Sequence, residues 1–454
     1  MDAKEKAATD VLVRLREAGF QAYFVGGCVR DVVMGRAPED YDITTDALPG
    51  QVQELFPESV MVGAQFGVVM VPREESLVEV ATFRSDGVYE DGRRPREVLY
   101  ALTAEQDVRR RDFTINGLLF DPIDKKVIDY VDGRRDIRER RIRTIGEAAA
   151  RFQEDHLRML RAVRFAARFG FSLDGAALAA IRELAGLITR VSRERVRDEI
   201  SKILTEGSPK RGFELLDQAG LLEFILPEIK ALQGVEQPPQ FHPEGDVWTH
   251  TLMMLDGLKA PTITLALGVL LHDVGKPATF TVRERIRFDN HVEVGAKMAA
   301  EICERLRLPA QHTERVVALV QNHLRFKDLP QMRRSTQMRF LRMDGFEEHL
   351  ELHRLDCLAS HGDLTNYELA KRLLQETPVE EIKPQPLLRG ADLIAEGYVP
   401  GPRFKEILRA VEDVQLEGTC HSRAEALRFV HNRFPLEPGG SAGTPDAAAK
   451  PRSE

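Results

Sequence analysis

The sequence predicts an α+β protein, with a strand-bearing first third and an all-helical remainder. Three observations carry that prediction. Short apolar runs separated by Gly and Pro crowd residues 20–83, and Leu77-Val78-Glu79-Val80-Ala81-Thr82-Phe83 alternates as a strand does. From about residue 148 to 435 apolar residues recur at helical spacing with little alternation. The chain has 454 residues, enough for two to four domains.

Taken in order, residues 4–19 place Ala8, Val11, Leu12 and Leu15 on one helix face and stop at Gly19. Phe24-Val25-Gly26-Gly27-Cys28-Val29-Arg30-Asp31 reads as a strand, a glycine turn and a short helix; Glu39-Asp40-Tyr41-Asp42 reads as a second strand. Gly26 and Gly27 have no Cβ, so the backbone can turn sharply and let a large anion approach its N–H groups. On a strand, Asp40 and Asp42 point to one face. Two hard carboxylates side by side suit Mg²⁺, which keeps other positions for water and phosphate oxygens. A phosphate-cradling turn beside such a platform is what nucleotidyl transfer needs. Residues 59–83 read as a hairpin or meander with a turn at Pro72 to Ser76. Glu79, on its third strand, is either an edge-strand charge or a third metal carboxylate. Residues 84–111, rich in Arg, Asp and Gly, read as a mobile loop. Arg109-Arg110-Arg111 precede an apolar start and could meet a triphosphate.

Residues 150–169 read as one amphipathic helix with Arg158, Arg161, Arg164 and Arg168 along it, ended by Gly170. Three or four short helices follow over 174–233. A Gly/Pro-containing break, Gln233 to Gly245, precedes a helical block to about 364, and a last block covers 388–434. Residues 437–454 are disordered by composition.

Composition excludes some classes. Apolar residues make up 43% and charged residues 30%, as in a soluble globular protein. A formal net charge of −8 means that nucleic-acid contact must use local basic patches. Cys28, Cys303, Cys357 and Cys420 are scattered without paired spacing, which argues for a reducing compartment and against a disulfide framework or zinc ribbon. The N-terminus lacks a signal-peptide core, and the most apolar run, Ile263 to Leu271, is too short to span a bilayer. The expected location is the cytoplasm.

The ordered series of GGxVRD, DxD, a strand glutamate, an Arg/Asp/Gly loop, Arg110-Arg111-Asp112-Phe113-Thr114-Ile115-Asn116 and Glu154-Asp155-His156-Leu157-Arg158 resembles the class II tRNA nucleotidyltransferases (CCA-adding enzymes) and the related bacterial poly(A) polymerases. The match covers roughly residues 20–235. It implies a nucleotidyltransferase β-sheet head at 1–147 and a helical neck at 148–235 that binds RNA. It implies Mg²⁺ held by Asp40 and Asp42, with Glu79 as helper, and triphosphate bound near Gly26, Gly27, Arg30, Arg110 and Arg111. The substrates it implies are tRNA, CTP and ATP. The loop Arg84 to Arg96 favours full CCA or A addition, because members that add only CC lack one. One departure is Gly117, where the family usually has Ala after Thr-x-Asn.

Asp155 and Arg158 also have a reading of their own. At i, i+3 on a helix they face the same way. Aspartate accepts and arginine donates, which matches the edge shared by cytosine and adenine and rejects uracil and guanine. The alternative is an ordinary intrahelical salt bridge. The resemblance assigns base selection to the same Glu-Asp-x-x-Arg, and Arg161 and Arg164 are expected to join the nucleotide site.

A second constellation is His250, then His272-Asp273 in Leu271-His272-Asp273-Val274-Gly275-Lys276, then Asp356, with His291 and His323 between. It resembles the HD phosphohydrolase superfamily and implies a second divalent metal in a helical domain at 236–364, followed by a helical tail at 365–436. Asp363 competes with Asp356. A degenerate bundle that only supports RNA remains the alternative. The leading expectation is a template-independent CCA-adding nucleotidyltransferase with an HD domain. The same-class alternative is a poly(A) polymerase or A-only enzyme, against which the acidic net charge leans. The different-class alternative is a phosphohydrolase or RNA-binding protein with an inactive head, against which the intact DxD counts.

Overall fold

The computed structural model describes residues 2–62, 67–74, 76–86, 98–100, 103–240 and 242–436. Two compact units divide them. One holds Met1–Asn322 with Leu355–Gly362, the other His323–Arg354 with the described residues from Asp363 on.

The first unit opens with α1 (Ala3–Glu17), β1 (Ala22–Val25), α2 (Gly27–Val33), β2 (Asp42–Thr45), α3 (Pro49–Leu55), β3 (Val60–Val62), β4 (Val68–Arg73), β5 (Ser76–Thr82), β6 (Arg84–Asp86), β7 (Val98–Tyr100), α4 (Ala104–Arg109), β8 (Leu118–Asp121) and β9 (Lys126–Asp129). Seven strands make one sheet in the order β3-β4-β5-β2-β1-β8-β9. β2 and β5 run parallel; the other neighbours are antiparallel. Asp2 caps α1 by accepting from Glu5 N at 2.7 Å. The α1 stripe of Val11, Leu12 and Leu15 is buried with Phe24, Ile43, Val69, Val80 and Leu118 from the sheet. Ile43 pairs with Val80, so Asp42 and Glu79 stand side by side and point away from that core.

The helical part continues with α5 (Gly133–Arg138), β10 (Arg141–Ile142), α6 (Ala148–Glu154), α7 (Leu157–Phe169), β11 (Ser172–Leu173), α8 (Gly175–Leu184), α9 (Arg193–Thr205), α10 (Pro209–Gln218), α11 (Leu222–Ile225) and α12 (Pro227–Lys230). Then come α13 (Val247–Asp256), α14 (Ile263–Leu271), α15 (Lys276–Thr279), β12 (Phe280–Val282), β13 (Ile286–Phe288), α16 (His291–Arg305) and α17 (Ala310–Asn322). α14 and α16 both pack on α17.

Four expectations need correction. Asp40 precedes β2 and is not on a strand with Asp42. The helix expected over 150–169 is two helices, broken at Asp155, whose backbone is extended at φ −143° and ψ 105°. There Asp155 Oδ1 accepts from Leu157 N at 3.1 Å, the local side-chain bond by which aspartate competes with helix continuation. The segment expected to be a mobile loop over 84–111 holds the β6–β7 pair and α4; the rest of the loop Arg84 to Arg96, from residue 87 on, lies outside the described residues. The helical region holds a β12–β13 hairpin that the pattern did not announce.

The second unit is helical and has two apolar clusters. One gathers Phe326, Phe340, Phe346 and Leu350; the other gathers Leu393, Ile407, Val411 and Val430. The expected disorder of 437–454 lies outside the described residues.

Gly275 shows how tightly the helical part is closed. A Cβ there would lie 2.1 Å from His291 O and 2.6 Å from Gly295 N, both backbone atoms that cannot step aside. We expect Gly275→Ala to cost about 1–3 kcal/mol of stability, the usual range for overpacking. Calorimetry should show a lowered unfolding midpoint; a midpoint equal to that of the wild type contradicts this packing.

Candidate functional site

Gly26 turns the chain from β1 into α2 at φ +76°, a conformation that favours glycine. The Arg111 guanidinium lies against this turn, 3.6 Å from where a Gly26 Cβ would stand. Arg110 and Arg111 both reach Asp107, at 2.8 and 2.9 Å. Burial alone would raise the Asp107 carboxyl, but Arg111 and Arg110 hold it down at about 2. Arg151 Nη2 donates to the carbonyl of Arg111 at 2.8 Å and also to that of Arg110. Arg158 Nη2 adds a bond to Arg110 O at 3.4 Å. The two motif arginines are thus fixed at both side chain and backbone.

Asp42 faces these arginines. Burial, Glu79 and Asp40 push its carboxyl up to about 6 against the pull of Arg111. Asp40 is exposed and pairs with Lys4 Nζ at 3.1 Å. Asp42 with Glu79 beside it offers hard oxygen donors whose mutual repulsion a divalent cation such as Mg²⁺ would relieve. Glu79 thereby stands as a neighbour of the DxD carboxylates and not as a remote edge charge.

Several expected anion ligands are engaged elsewhere. Arg30 is buried; it holds Asp31 at 2.9 Å and Asn116 Oδ1 at 2.8 Å and stacks 4.6 Å from the Phe169 ring centroid. It joins α2 to α7, and its Nη2 lies 3.5 Å from where a Gly27 Cβ would stand, beside the glycine turn. Arg161 binds Asp112 Oδ2 at 2.6 Å, and Arg164 pairs with Glu199 at 3.1 Å and lies over Phe165. Asp155 and Arg158 are not paired with each other. Asp155 holds Arg195 at 2.8 Å, and Arg158 holds Glu154 at 2.7 Å. The helix salt-bridge reading of that pair is therefore overturned. Gly117 is closely packed: an added Cβ would lie 2.9 Å from both Ile145 and Val131 side chains.

In the helical part, His250 on α13, His272 and Asp273 after α14, and Asp356 converge. His250 Nε2 lies 3.2 Å from Asp356 Oδ1, and His272 Nε2 lies 3.0 Å from Asp273 Oδ2. One ligand atom from each of His250, His272 and Asp273 falls within 4.8 Å of the others. His291 Nε2 is 3.7 Å from Asp273 Oδ1. Lys276 Nζ reaches Asp273 Oδ2 at 2.6 Å. Burial disfavours a charged His250, but Asp356 and Glu244 raise it to about 9 and burial gives way to the pair. Two imidazoles and two carboxylates, from α13, from the turn after α14 and from Asp356, make a donor set that fits a divalent metal. Asp363 is exposed and bonds Thr365 N at 2.9 Å, so Asp356 is the aspartate of this centre. His323 is buried in the second unit.

Sequence reasoning missed Asp107, Asp112, Arg151, Arg195 and Glu244. Asp112 stood inside the Arg-Arg-Asp-Phe-Thr run and was open to notice; the others carry no spacing signal.

Comparisons with known proteins bear on the family of the chain. Residues 22–143 match the "Poly A polymerase head domain", residues 170–233 the "Probable RNA and SrmB- binding site of polymerase A", and residues 246–365 the "HD domain". The CCA-adding enzyme of Bacillus cytotoxicus is 30% identical over 93% of this chain and 97% of its own length. That of Bacillus pumilus is 39% identical over 59% of this chain and 63% of its own length; that of Geobacillus thermodenitrificans is 44% identical over 48% and 54%. The chain thus spans under two thirds of the length of those two relatives. The crystal structure of the Bacillus stearothermophilus CCA-adding enzyme in complex with CTP superposes with a TM-score of 0.71 at 28% identity, over 95% of this chain and 98% of that one. The Thermotoga maritima CCA-adding enzyme complexed with tRNA shares the fold, with a TM-score of 0.57 at 20% identity over 95% and 96%.

A mixed sheet with a glycine turn and a helical continuation is the architecture of the polymerase head class that residues 22–143 match. Within that class, the chain belongs to the CCA-adding enzyme family.

The raised Asp42 carboxyl gives a sign that can be checked. Its folded value, about 6, lies above the ordinary 3.8, so wild type loses stability as pH rises through that interval. In metal-free buffer Asp42→Asn should be more stable than wild type at neutral pH by on the order of 2 kcal/mol. The advantage should vanish in unfolding curves taken below the ordinary aspartate range. Equal stability at neutral pH contradicts the crowded-carboxylate geometry.

Proposed function

We propose that the chain adds C, C and A to the 3′ end of tRNA from CTP and ATP, without a nucleic-acid template. The observation that carries this is the Asp42, Glu79 and Asp40 cluster beside the Gly26 turn and Arg111. The ribose 3′-hydroxyl at the tRNA end attacks the α-phosphate, and pyrophosphate leaves. Asp40 and Asp42, with Glu79 as helper, would hold Mg²⁺, which when bound activates the hydroxyl and neutralises the leaving charge. Arg110 and Arg111 meet the phosphates. They are pre-organised by Asp107 and Arg151, so little side-chain entropy is lost on binding. Gly26 and Gly27 leave room for that anion.

Base selection is assigned to Asp155 and Arg158. Asp155 accepts from the amino group shared by cytosine and adenine, and Arg158 donates to the neighbouring ring nitrogen. Without nucleotide, Arg195 and Glu154 hold the two side chains in place, and the incoming base exchanges with those partners. The domain division 1–147, 148–235, 236–364 and 365–436 follows the same reading. The His–Asp centre is a phosphoester hydrolase site, where His250, His272, Asp273 and Asp356 would hold a divalent metal that supplies an activated water. Among the described residues no helix is long and apolar enough to cross a membrane. Four free, buried cysteines favour a reducing, cytoplasmic setting.

The test supplies tRNA lacking CCA with labelled CTP and ATP, singly and together. We expect two C additions from CTP alone and completion by one A when ATP is present. A long A tail from ATP alone would instead select the poly(A) polymerase reading. Asp40→Ala and Asp42→Ala should remain folded and lose incorporation; near-normal incorporation by either one sinks the metal assignment. Asp155→Ala should lose roughly ten- to a hundredfold of its preference for C and A over U and G, the value of a hydrogen bond to a charged group. Wild-type preference at wild-type rates would place selection elsewhere.

A further inference from the structure

We propose that Glu244 is the positioning residue of the His–Asp centre: it fixes the tautomer and ring direction of His250 so that Nε2 faces the metal position. The inference rests on reading that centre as a metal site. Glu244 lies on the stretch leading into α13, and its side chain is 4% exposed. Its Oε1 accepts from His250 Nδ1 at 2.7 Å. A carboxylate can only accept there, so Nδ1 carries a proton in either charge state of the ring, and Nε2 is the nitrogen that can give up its proton to a metal. That Nε2 is directed at the centre, 3.2 Å from Asp356 Oδ1. His250 is itself fully buried, so no water competes for Nδ1.

The local chain holds Glu244 in place. Gly245, at φ +121°, makes the turn between Glu244 and the helix start. Asp246 then caps α13 by accepting from Thr249 N at 2.9 Å, and it also binds Gly234 N at 2.7 Å. The same Glu244 Oε1 accepts from His242 Nδ1 at 2.9 Å, and the His242 ring packs edge-on against His250 at 5.1 Å. Among the described residues, Glu244 Oε2 is buried with no hydrogen-bond partner. A buried carboxylate with acceptor capacity to spare is retained at a cost. The two imidazoles it orients are where that cost is offset. The arrangement has the form of a carboxylate–histidine–metal chain, in which the outer carboxylate raises the basicity of the ligand and fixes its direction.

The test is Mn²⁺ uptake by the full chain, read as loss of the free-ion paramagnetic resonance signal. It is run in the Asp42→Ala background so that the head does not contribute. His272→Ala in the same background sets the level without this centre. We expect Glu244→Ala to weaken Mn²⁺ binding ten- to a hundredfold. Glu244→Gln, whose amide oxygen still accepts from Nδ1, should lose less than Glu244→Ala. His242→Ala, which keeps the Glu244–His250 bond, should stay within about threefold of the parent, given that His242 is no part of that bond. CTP incorporation by Glu244→Ala in the otherwise wild-type chain should be unchanged and so reports an intact fold. Parent-like Mn²⁺ affinity in Glu244→Ala overturns the proposal while leaving the metal centre standing. His242→Ala losing as much as Glu244→Ala also overturns it, because packing and not the carboxylate would be at work. A parent that takes up no more Mn²⁺ than His272→Ala overturns the metal centre itself and the proposal with it.

Discussion

The buried carboxylate of Asp112 is the constraint on which the nucleotide site depends. Its Oδ2 takes the Arg161 guanidinium at 2.6 Å, and its Oδ1 caps Phe113 N at 2.8 Å and accepts from Asn116 at 3.2 Å. Asn116 in turn accepts from Arg30, which holds Asp31 and stacks on Phe169. One continuous network therefore ties the helix after the glycine turn, the run from Asp112 to Asn116 and the neck helix α7. Burial would raise the Asp112 carboxyl, and Arg161 and Asn116 outweigh it to hold it at about 2. A charge buried this deeply is tolerable only while its partners stay in place.

The network engages several conspicuous arginines within the protein. Arg30, Arg161 and Arg164 each meet a carboxylate or an aromatic face within the protein. Arg111 is different: it is shared between Asp107 and the notch at Gly26, where an anion can approach it. The His–Asp centre follows the same logic with opposite polarity. His250 Nδ1 bonds the Glu244 carboxylate and His272 Nδ1 the carbonyl of Val269, and one ligand atom from each of His250, His272 and Asp273 falls within 4.8 Å of the others.

Much of this was legible where the signal is local. The α1 stripe, the turn at Gly26, the meander over 59–83 and the stop at Gly170 depend on residues a few positions apart. The order of motifs carried the class of chemistry. What was not legible depended on distant partners. Asp155 sits in a run with continuous helical periodicity, and the break comes from its side chain bonding Leu157 N while Arg195, far along the chain, holds it from α9. The bonds that hold Arg30, to Asn116 and over Phe169, reach residues far away in sequence and carried no signal. Asp356 and Asp363 looked alike until one met His250 and the other capped Thr365.

The central claim is that the sheet-borne motif and the neck helix form one site through Asp112 and Arg161. A double-mutant cycle tests it most directly. Stability and CTP affinity are measured for Asp112→Ala, Arg161→Ala and the double variant. Removing one partner of a buried pair costs roughly 3–5 kcal/mol. The account predicts that the double variant is no worse than Asp112→Ala or Arg161→Ala alone, with a coupling of at least about 2 kcal/mol and a parallel loss of CTP affinity. Losses that simply add, or a loss of stability with CTP affinity untouched, would contradict it.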